Sequence, residues 1–434
     1  MASLWAKTVE ISPFPTLDGD AHTDVLIIGG GMAGILCAYE LQRAGVGYML
    51  VEENTVGGGI TQNTTAKITA QHGFVYHKLL RKYGIEKARQ YLQANLDAVA
   101  AYKQLCEQMD CDYSVQENCV YTLGDPKKII QEFSALKQLG YGAVYRKKLP
   151  LPVPHQGGIF FPEQGQFHPL KFLAELSHGL QIYEHTPVLE LSPHKARTPS
   201  GTIQAKHIIV TTHFPFLNKH GFYFLKLYQH RSYCLALENA PVMKGMYVDE
   251  SSDGLSFRGY QDLLILGGGG HRTGKKGGGW QELEAYARQH YPGSRIRHRW
   301  ATQDCMSLDG MPYIGKYSSQ TEGLYVATGF NKWGMTGSMV ASRLLTDLIT
   351  EGKSPYEDLF SPNRSILHPQ LGKNATQALL HLLTPTPRRC PHMGCALKWN
   401  PQEHSWDCPC HGSRFSQDGK RLDGPATDDR TDLK

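Results

Sequence analysis

Near the C-terminal end of this 434-residue chain, the stretch CPHMGCALKWNPQEHSWDCPCHGSRF gathers four of the ten cysteines and three of the twenty histidines. Its first knuckle is Cys390-x-His392; fifteen residues later comes Cys408-x-x-His411. A zinc ribbon needs two C-x-x-C pairs, and a classical finger groups its cysteines apart from its histidines. Here each knuckle offers one thiolate and one imidazole. That division suits a [2Fe–2S] centre in which Cys390 and Cys408 hold one iron while His392 and His411 hold the other, with structural zinc as the alternative. Replacing two anionic thiolates by neutral imidazoles raises the reduction potential, so such a centre accepts electrons readily.

A second chemistry lies in the first tenth of the chain. Gly29, Gly31 and Gly34 satisfy G-x-G-x-x-G between the buried run Val25–Ile28 and a helical pattern from Ile35 to Arg43, and Glu52 ends the next apolar run, Tyr48–Val51. This context marks a dinucleotide site. Gly29 gives the tight turn, Gly31 lets the backbone approach a pyrophosphate, Gly34 lets helix and strand pack, and Glu52 accepts from ribose hydroxyls. NAD and FAD share the fingerprint; the rest of the chain favours FAD. VGGGITQNTTAKITAQHG follows closely, with Thr64, Thr65 and Lys67 directed toward a ring, and Gly329, Gly334 and Gly337 surround a late strand-to-helix turn in GLYVATGFNKWGMTGSMVASRLLTDLI.

These segments, with DGMPYIG and QFHPLKFLAEL, resemble the D-amino-acid oxidase family of FAD enzymes, which includes glycine and sarcosine oxidases, over residues 22 to 360. The resemblance implies an FAD site made by Gly29, Gly31, Met32, Ala33, Gly34, Glu52, Glu53, Thr64, Thr65, Ala66, Val188, Asp309, Gly329, Gly334, Met335 and Thr336. It also places Cys305 near where some sarcosine oxidases bind FAD covalently; a buried free thiol is the other reading.

The metal-rich segment resembles the Rieske [2Fe–2S] family, as HGSRF and DGPA also do. That likeness implies a disulfide between Cys395 and Cys410 linking the two cluster loops, a hydrogen bond from Ser413 that raises the potential, and a lower potential where Phe415 replaces the usual tyrosine. Little chain precedes Cys390 compared with a full Rieske domain, so the segment is expected to dock on the flavoprotein. The combination resembles a bacterial group of FAD oxidoreductases fused to a C-terminal Rieske domain.

Relatives of the FAD part take a hydride from a carbon beside an amine. The expected reaction is therefore dehydrogenation of a small amine or amino acid at FAD. Electrons would leave one at a time through the cluster to a carrier such as a ferredoxin or cytochrome. Two rivals stay open: a reductase with electrons entering at the cluster, and a sensor or electron-transfer protein without turnover. Lys67 is a candidate cation at the flavin or a surface lysine; His72 lines the flavin or is a satisfied core histidine. Arg231 or Arg258 would hold a substrate carboxylate or be solvated.

The positioning elements follow from periodicity. An α/β Rossmann-like FAD domain is expected over 22–75, 165–215 and 300–352, and an α+β domain with an antiparallel sheet over 76–164 and 216–299. A connector at 353–385 carries a short helix, Ala375–Leu383, and a small all-β Rieske domain occupies 386–434. The net charge of +5 with no basic stripe argues against nucleic acid. No apolar run is long enough for a membrane span or secretion signal, and the six scattered cysteines suit a reducing compartment, so a cytoplasmic protein is expected.

Overall fold

The structure, a computed structural model, describes residues 2–217 and 220–430. The chain supplies three separated stretches to one sheet, in the order Tyr313–Lys316, Leu324–Thr328, Thr202–Val210, Ala21–Ile28, Tyr48–Val51 and Ile182–Tyr183. All neighbours run parallel except the first pair. Strands buried on both faces read as continuous apolar runs, as VLII and YMLV do. Helices Met32–Arg43 and Gly334–Thr350 pack against each other and this sheet. Both begin at glycines, Gly31 and Gly334.

The second sheet has nine strands, with the order Arg295–Ser307, Leu227–Glu238, Leu263–Arg272, Ser256–Tyr260, Met246–Asp249, Ser114–Tyr121, Gly158–Gln166 and Lys67–Ile68, and Val144–Arg146 beside Gly158–Gln166. It is mixed rather than purely antiparallel, because Met246–Asp249 runs parallel to Ser114–Tyr121. The long helical region is Tyr76–Cys106, broken at Gly84, whose φ of 80° only glycine adopts easily.

One reading changes. The connector helix is Pro369–Leu383 and not merely Ala375–Leu383: Pro369 is tolerated at the first helical position, and His368 Nδ1 accepts from Gln370 N at 3.2 Å. The N-terminal residues are anchored as well: Trp5 is fully buried and its Nε1 donates to Thr64 O at 2.7 Å. Finally, a four-stranded antiparallel sheet, Lys398–Asn400, Ser405–Asp407, Arg414–Ser416 and Arg421–Asp423, carries the metal-rich loops. Residues 431–434 of the expected Rieske domain, and 218–219 of the substrate domain, lie outside the described residues.

Candidate functional site

A cavity of about 1260 Å³ opens between the two large sheets. That exceeds the ~300–1,000 Å³ of a drug-sized ligand site and leaves room for a dinucleotide beside a substrate. Gly29, Gly31, Met32, Ala33, Glu52, Glu53, Thr64, Thr65, Val188, Gly334 and Met335 line it. Gly34 sits behind the lining, where a Cβ would overlap the Gly29 carbonyl, so it serves the helix–strand packing. Gly31 has no side chain to cap this helix, and although Met32 N donates to Thr61 Oγ1 at 3.1 Å, the helix N-terminus faces the cavity. Glu52 is fixed by accepting from Gly30 N at 2.6 Å and Asn54 N at 2.8 Å, and burial raises its carboxyl pKa above the ordinary value despite these donors. These residues fit FAD.

Four other expected FAD contacts lie off the cavity wall. Asp309 accepts both Arg364 Nε and Nη2 at 2.8 Å and bonds Tyr83 at 3.1 Å, so it clamps the connector. Thr336 bonds His72 at 3.0 Å; Ala66 is buried with its carbonyl on Arg258; Gly329 adopts φ 69° at the turn and its carbonyl accepts from Asn331. Glu53 lines the cavity but is ion-paired with Arg421 of the C-terminal sheet.

At the other end of the cavity, Lys67 Nζ bonds Thr65 Oγ1 at 3.0 Å. Burial, and Arg258 beside it, lower its pKa to about 7. His72 is satisfied on both nitrogens, by Tyr91 OH at 2.7 Å and by Thr69 O at 2.8 Å, and stacks on Trp333. Burial lowers its pKa to about 3, which makes it a neutral wall and not a base. Neither arginine is solvated or free for a substrate. Arg258 is fully buried and donates to the Thr65 and Ala66 carbonyls at 2.5 and 2.8 Å; Arg231 pairs with Glu403. Sequence reading missed Lys332, which lines the cavity and donates to Ser252 O at 2.6 Å and Ser232 Oγ at 3.1 Å. Cys305 points away from the cavity, into a buried cluster where its sulfur lies 3.6 Å from Thr328 Oγ1. Its thiol pKa is pushed up to about 12 by burial.

The cluster loops share one backbone pattern. Cys390 N bonds Cys395 O at 2.8 Å and Gly394 N bonds Cys390 O at 2.9 Å; Cys408 N bonds Ser413 O and Gly412 N bonds Cys408 O at the same two distances. Each loop turns through a glycine of positive φ, Gly394 or Gly412. The histidine rings face each other at 4.9 Å, nearly perpendicular. His411 Nε2 donates to Phe224 O at 3.0 Å, while its buried Nδ1 has no hydrogen-bond partner among the described residues. A ring held by a carbonyl on one nitrogen with the other left over is how a metal-binding histidine is oriented. The Cys390 and Cys408 thiols are buried neighbours, so the four residues fit a [2Fe–2S] cluster. The sulfurs of Cys395, Cys408 and Cys410 lie within 4.8 Å of one another, which brings Cys395 and Cys410 together beside Cys408, although the two are not bonded to each other in this structure.

The small sheet is seated on the flavoprotein by buried charge. Glu403 accepts from Arg231 Nε at 3.0 Å, from Arg414 at 2.8 Å and from Tyr233 OH at 3.1 Å. Arg414 also binds Asp407 and Asp423. Arg272 donates to Pro409 O and Cys410 O, and Gln303 Nε2 to Gly412 O at 2.9 Å. Phe214, which lines the cavity, packs edge-on against both cluster histidines, with ring centroids 6.4 Å from His392 and 6.1 Å from His411. Phe214 thus touches the cavity on one side and the cluster histidines on the other.

A dinucleotide fold with a cavity roomy enough for FAD, joined to a loop pair suited to an iron–sulfur centre, defines a two-cofactor flavoprotein. The chain belongs to the FAD dependent oxidoreductase (DAO) family, which residues 24–348 match, and residues 383–433 match the Rieske [2Fe-2S] domain. FAD and a [2Fe–2S] cluster are its cofactors. It is similar over nearly its full length to the Rieske 2Fe-2S iron-sulfur protein YhfW of Bacillus subtilis, with 34% identity covering 97% of this chain and 95% of that one. Gamma-glutamylputrescine oxidoreductase of Escherichia coli is 22% identical over 82% of this chain and 90% of its own. The crystal structure of glycine oxidase from Geobacillus kaustophilus shares the fold with a TM-score of 0.67, at 20% identity, over 80% of this chain and all of that one. Among the described residues no helix is long and apolar enough to cross a membrane.

Proposed function

We propose that this FAD-dependent oxidoreductase is a dehydrogenase: it oxidises a C–N bond of a small amine or amino acid and passes the electrons singly, through the Rieske cluster, to an external carrier. The observation that carries the reading is Phe214, a cavity wall in contact with both cluster histidines. FAD supplies a two-electron acceptor and the cluster a one-electron one. The names of gamma-glutamylputrescine oxidoreductase and glycine oxidase support a C–N substrate.

The chain's own residues would divide the work as follows. The Gly29–Gly34 turn and Glu52 hold the dinucleotide, and Cys390, His392, Cys408 and His411 hold the cluster. Cys395 and Cys410 would clamp the loops as a disulfide. Lys67 and Lys332 bring two amines to the chamber, and the Lys332 ammonium is destabilised by burial while Asp304 and Asp253 support it. A chamber with two lysines and a neutral His72 favours a substrate bearing a carboxylate. The amine to be oxidised would bind neutral, so no strong base is required.

The test is an anaerobic screen of amines and amino acids against the protein carrying both cofactors. Flavin bleaching by at least one of them supports the reading. Bleaching by none, with the flavin reduced only after the cluster has been reduced by an external donor, reverses the direction of electron flow and overturns it.

A further inference from the structure

The cluster segment carries an apolar surface that stays exposed among the described residues. Helix Pro369–Leu383 lays Asn374, Ala378 and His381 against the protein, and Ala378 packs into the cysteine cluster. Its other side presents Leu379, Leu380, Leu382 and Leu383, of which Leu379 is 60% and Leu383 71% exposed. The helix is tied to the first cluster loop: Ala396 N donates to His381 O at 2.9 Å, and Arg389 joins Leu382 O to Gly394 O. Met393, exposed beside the ligand His392, continues the apolar surface onto that loop. Five large apolar side chains so placed exceed the scatter of single exposed residues normal for a surface and mark an interaction site.

The segment that carries the patch is basic, with the exposed Asp428 and Asp429 approaching only its Pro387 end, where Arg430 donates to Pro387 O at 3.1 Å. Between Asp358 and Glu403 the sequence holds no acidic residue but contains Lys373, Arg388, Arg389 and Lys398. Lys373, Arg388 and Lys398 are exposed. Lys398, Lys275 and Arg272 also lie close enough to His381 to lower its pKa further than burial alone does. The next acids, Glu403 and Asp407, are buried in salt bridges. Of the two cluster histidines His411 is only 4% exposed beneath Phe214 and Phe224, whereas His392 is half-buried on the loop that carries Met393, so the approach to the cluster site from outside lies on the Met393 side.

We propose that this apolar patch with its basic rim is the docking surface for an acidic one-electron carrier protein. The inference rests on the reading of the chain as a dehydrogenase that discharges through its cluster. Charge complementarity of this kind speeds encounter and makes binding sensitive to salt, while the leucines provide the desolvated centre of the contact.

The test uses the protein with both cofactors bound, titrated calorimetrically with two c-type cytochromes, one acidic and one basic. At low ionic strength the acidic cytochrome should bind at least about tenfold tighter, and salt near the 1 M range, where screening acts within ~3 Å, should erase the preference. The pair Lys373→Glu and Lys398→Glu, and separately the pair Leu379→Ser and Leu383→Ser, should each weaken it at least about tenfold. Equal affinity for both cytochromes, or variants that bind as wild type, overturns the inference. So does wild-type binding to phosphatidylglycerol vesicles that the variants lose while neither cytochrome binds, or a dimer in sedimentation equilibrium that the leucine variants dissolve. Substrate reduction of the flavin and the cluster, followed in the same samples, should be unchanged in the variants. Its failure in the wild type removes the dehydrogenase reading, whereas failure of the cytochrome preference alone removes only the docking surface.

Discussion

Replacing Arg231 with leucine removes the one guanidinium by which the flavoprotein grips Glu403 of the cluster segment. The pair is desolvated: the side chains of Arg231 and Glu403 are 3% and 9% exposed. Deleting one partner of a buried ion pair costs about 3–5 kcal/mol, because the other charge is left unpaired. Glu403 retains Arg414, Tyr233 and Asn400, so the lower end applies, about 3 kcal/mol. That shifts the docking equilibrium by roughly two orders of magnitude. Hydrogen exchange should therefore quicken by about that factor across Lys398–Asp423 and not in Ala21–Ile28. A second substitution, Glu403→Leu, should recover much of the loss, since two apolar groups leave no orphaned charge. Exchange in the cluster segment within about threefold of wild type would refute the claim that this ion pair seats it. The same pair sets a pH limit. Burial pushes the Glu403 carboxyl up, but Arg231 and Arg414 outweigh it and hold its pKa below the ordinary value. A depressed carboxylate contributes stability that is present above its unfolded pKa of about 4.3 and lost as pH falls through the folded value. Protection of the segment should stay level from neutral pH down to about 5 and fall below about 4.

Three further outcomes are expected. Gly34→Ala forces a Cβ onto the Gly29 carbonyl, so the variant should purify with less than about a tenth of the wild-type flavin per chain, measured by absorbance. Ser413 bonds the Cys390 thiol and accepts from Ala426 N at 3.0 Å, so Ser413→Ala should lower the midpoint potential of the cluster in a potentiometric titration; an unchanged value would detach this hydroxyl from the redox site. Cys305→Ser should leave the flavin content unchanged, and acid precipitation of the wild type should release yellow supernatant, because the thiol faces a buried cluster.

Local spacing made much of this molecule legible. The glycine turn, Glu52 and the Cys–His knuckles lie within short windows whose residue types have few other uses. Side chains paired across long sequence distances were not legible. Arg231 looked like a substrate clamp because its partner Glu403 lies 172 residues away, and Asp309 looked like a flavin neighbour because Arg364, 55 residues on, was not visible as its counter-ion. Phe214 and Lys332 have no pattern of their own; only the folded cavity shows that one touches the cluster histidines and the other enters the chamber. Trp5 escaped notice because a five-residue helix has no measurable periodicity.

The central claim, that electrons from substrate reach the cluster through the flavin, is tested most directly by anaerobic titration with a substrate that bleaches the flavin, followed by optical and electron paramagnetic resonance spectra. Two electrons for FAD and one for the cluster require roughly 1.5 equivalents of a two-electron donor, with a [2Fe–2S] signal bearing histidine nitrogen coupling appearing as the flavin bleaches. A titration complete at about one equivalent, with full bleaching and no iron–sulfur signal, would contradict the account.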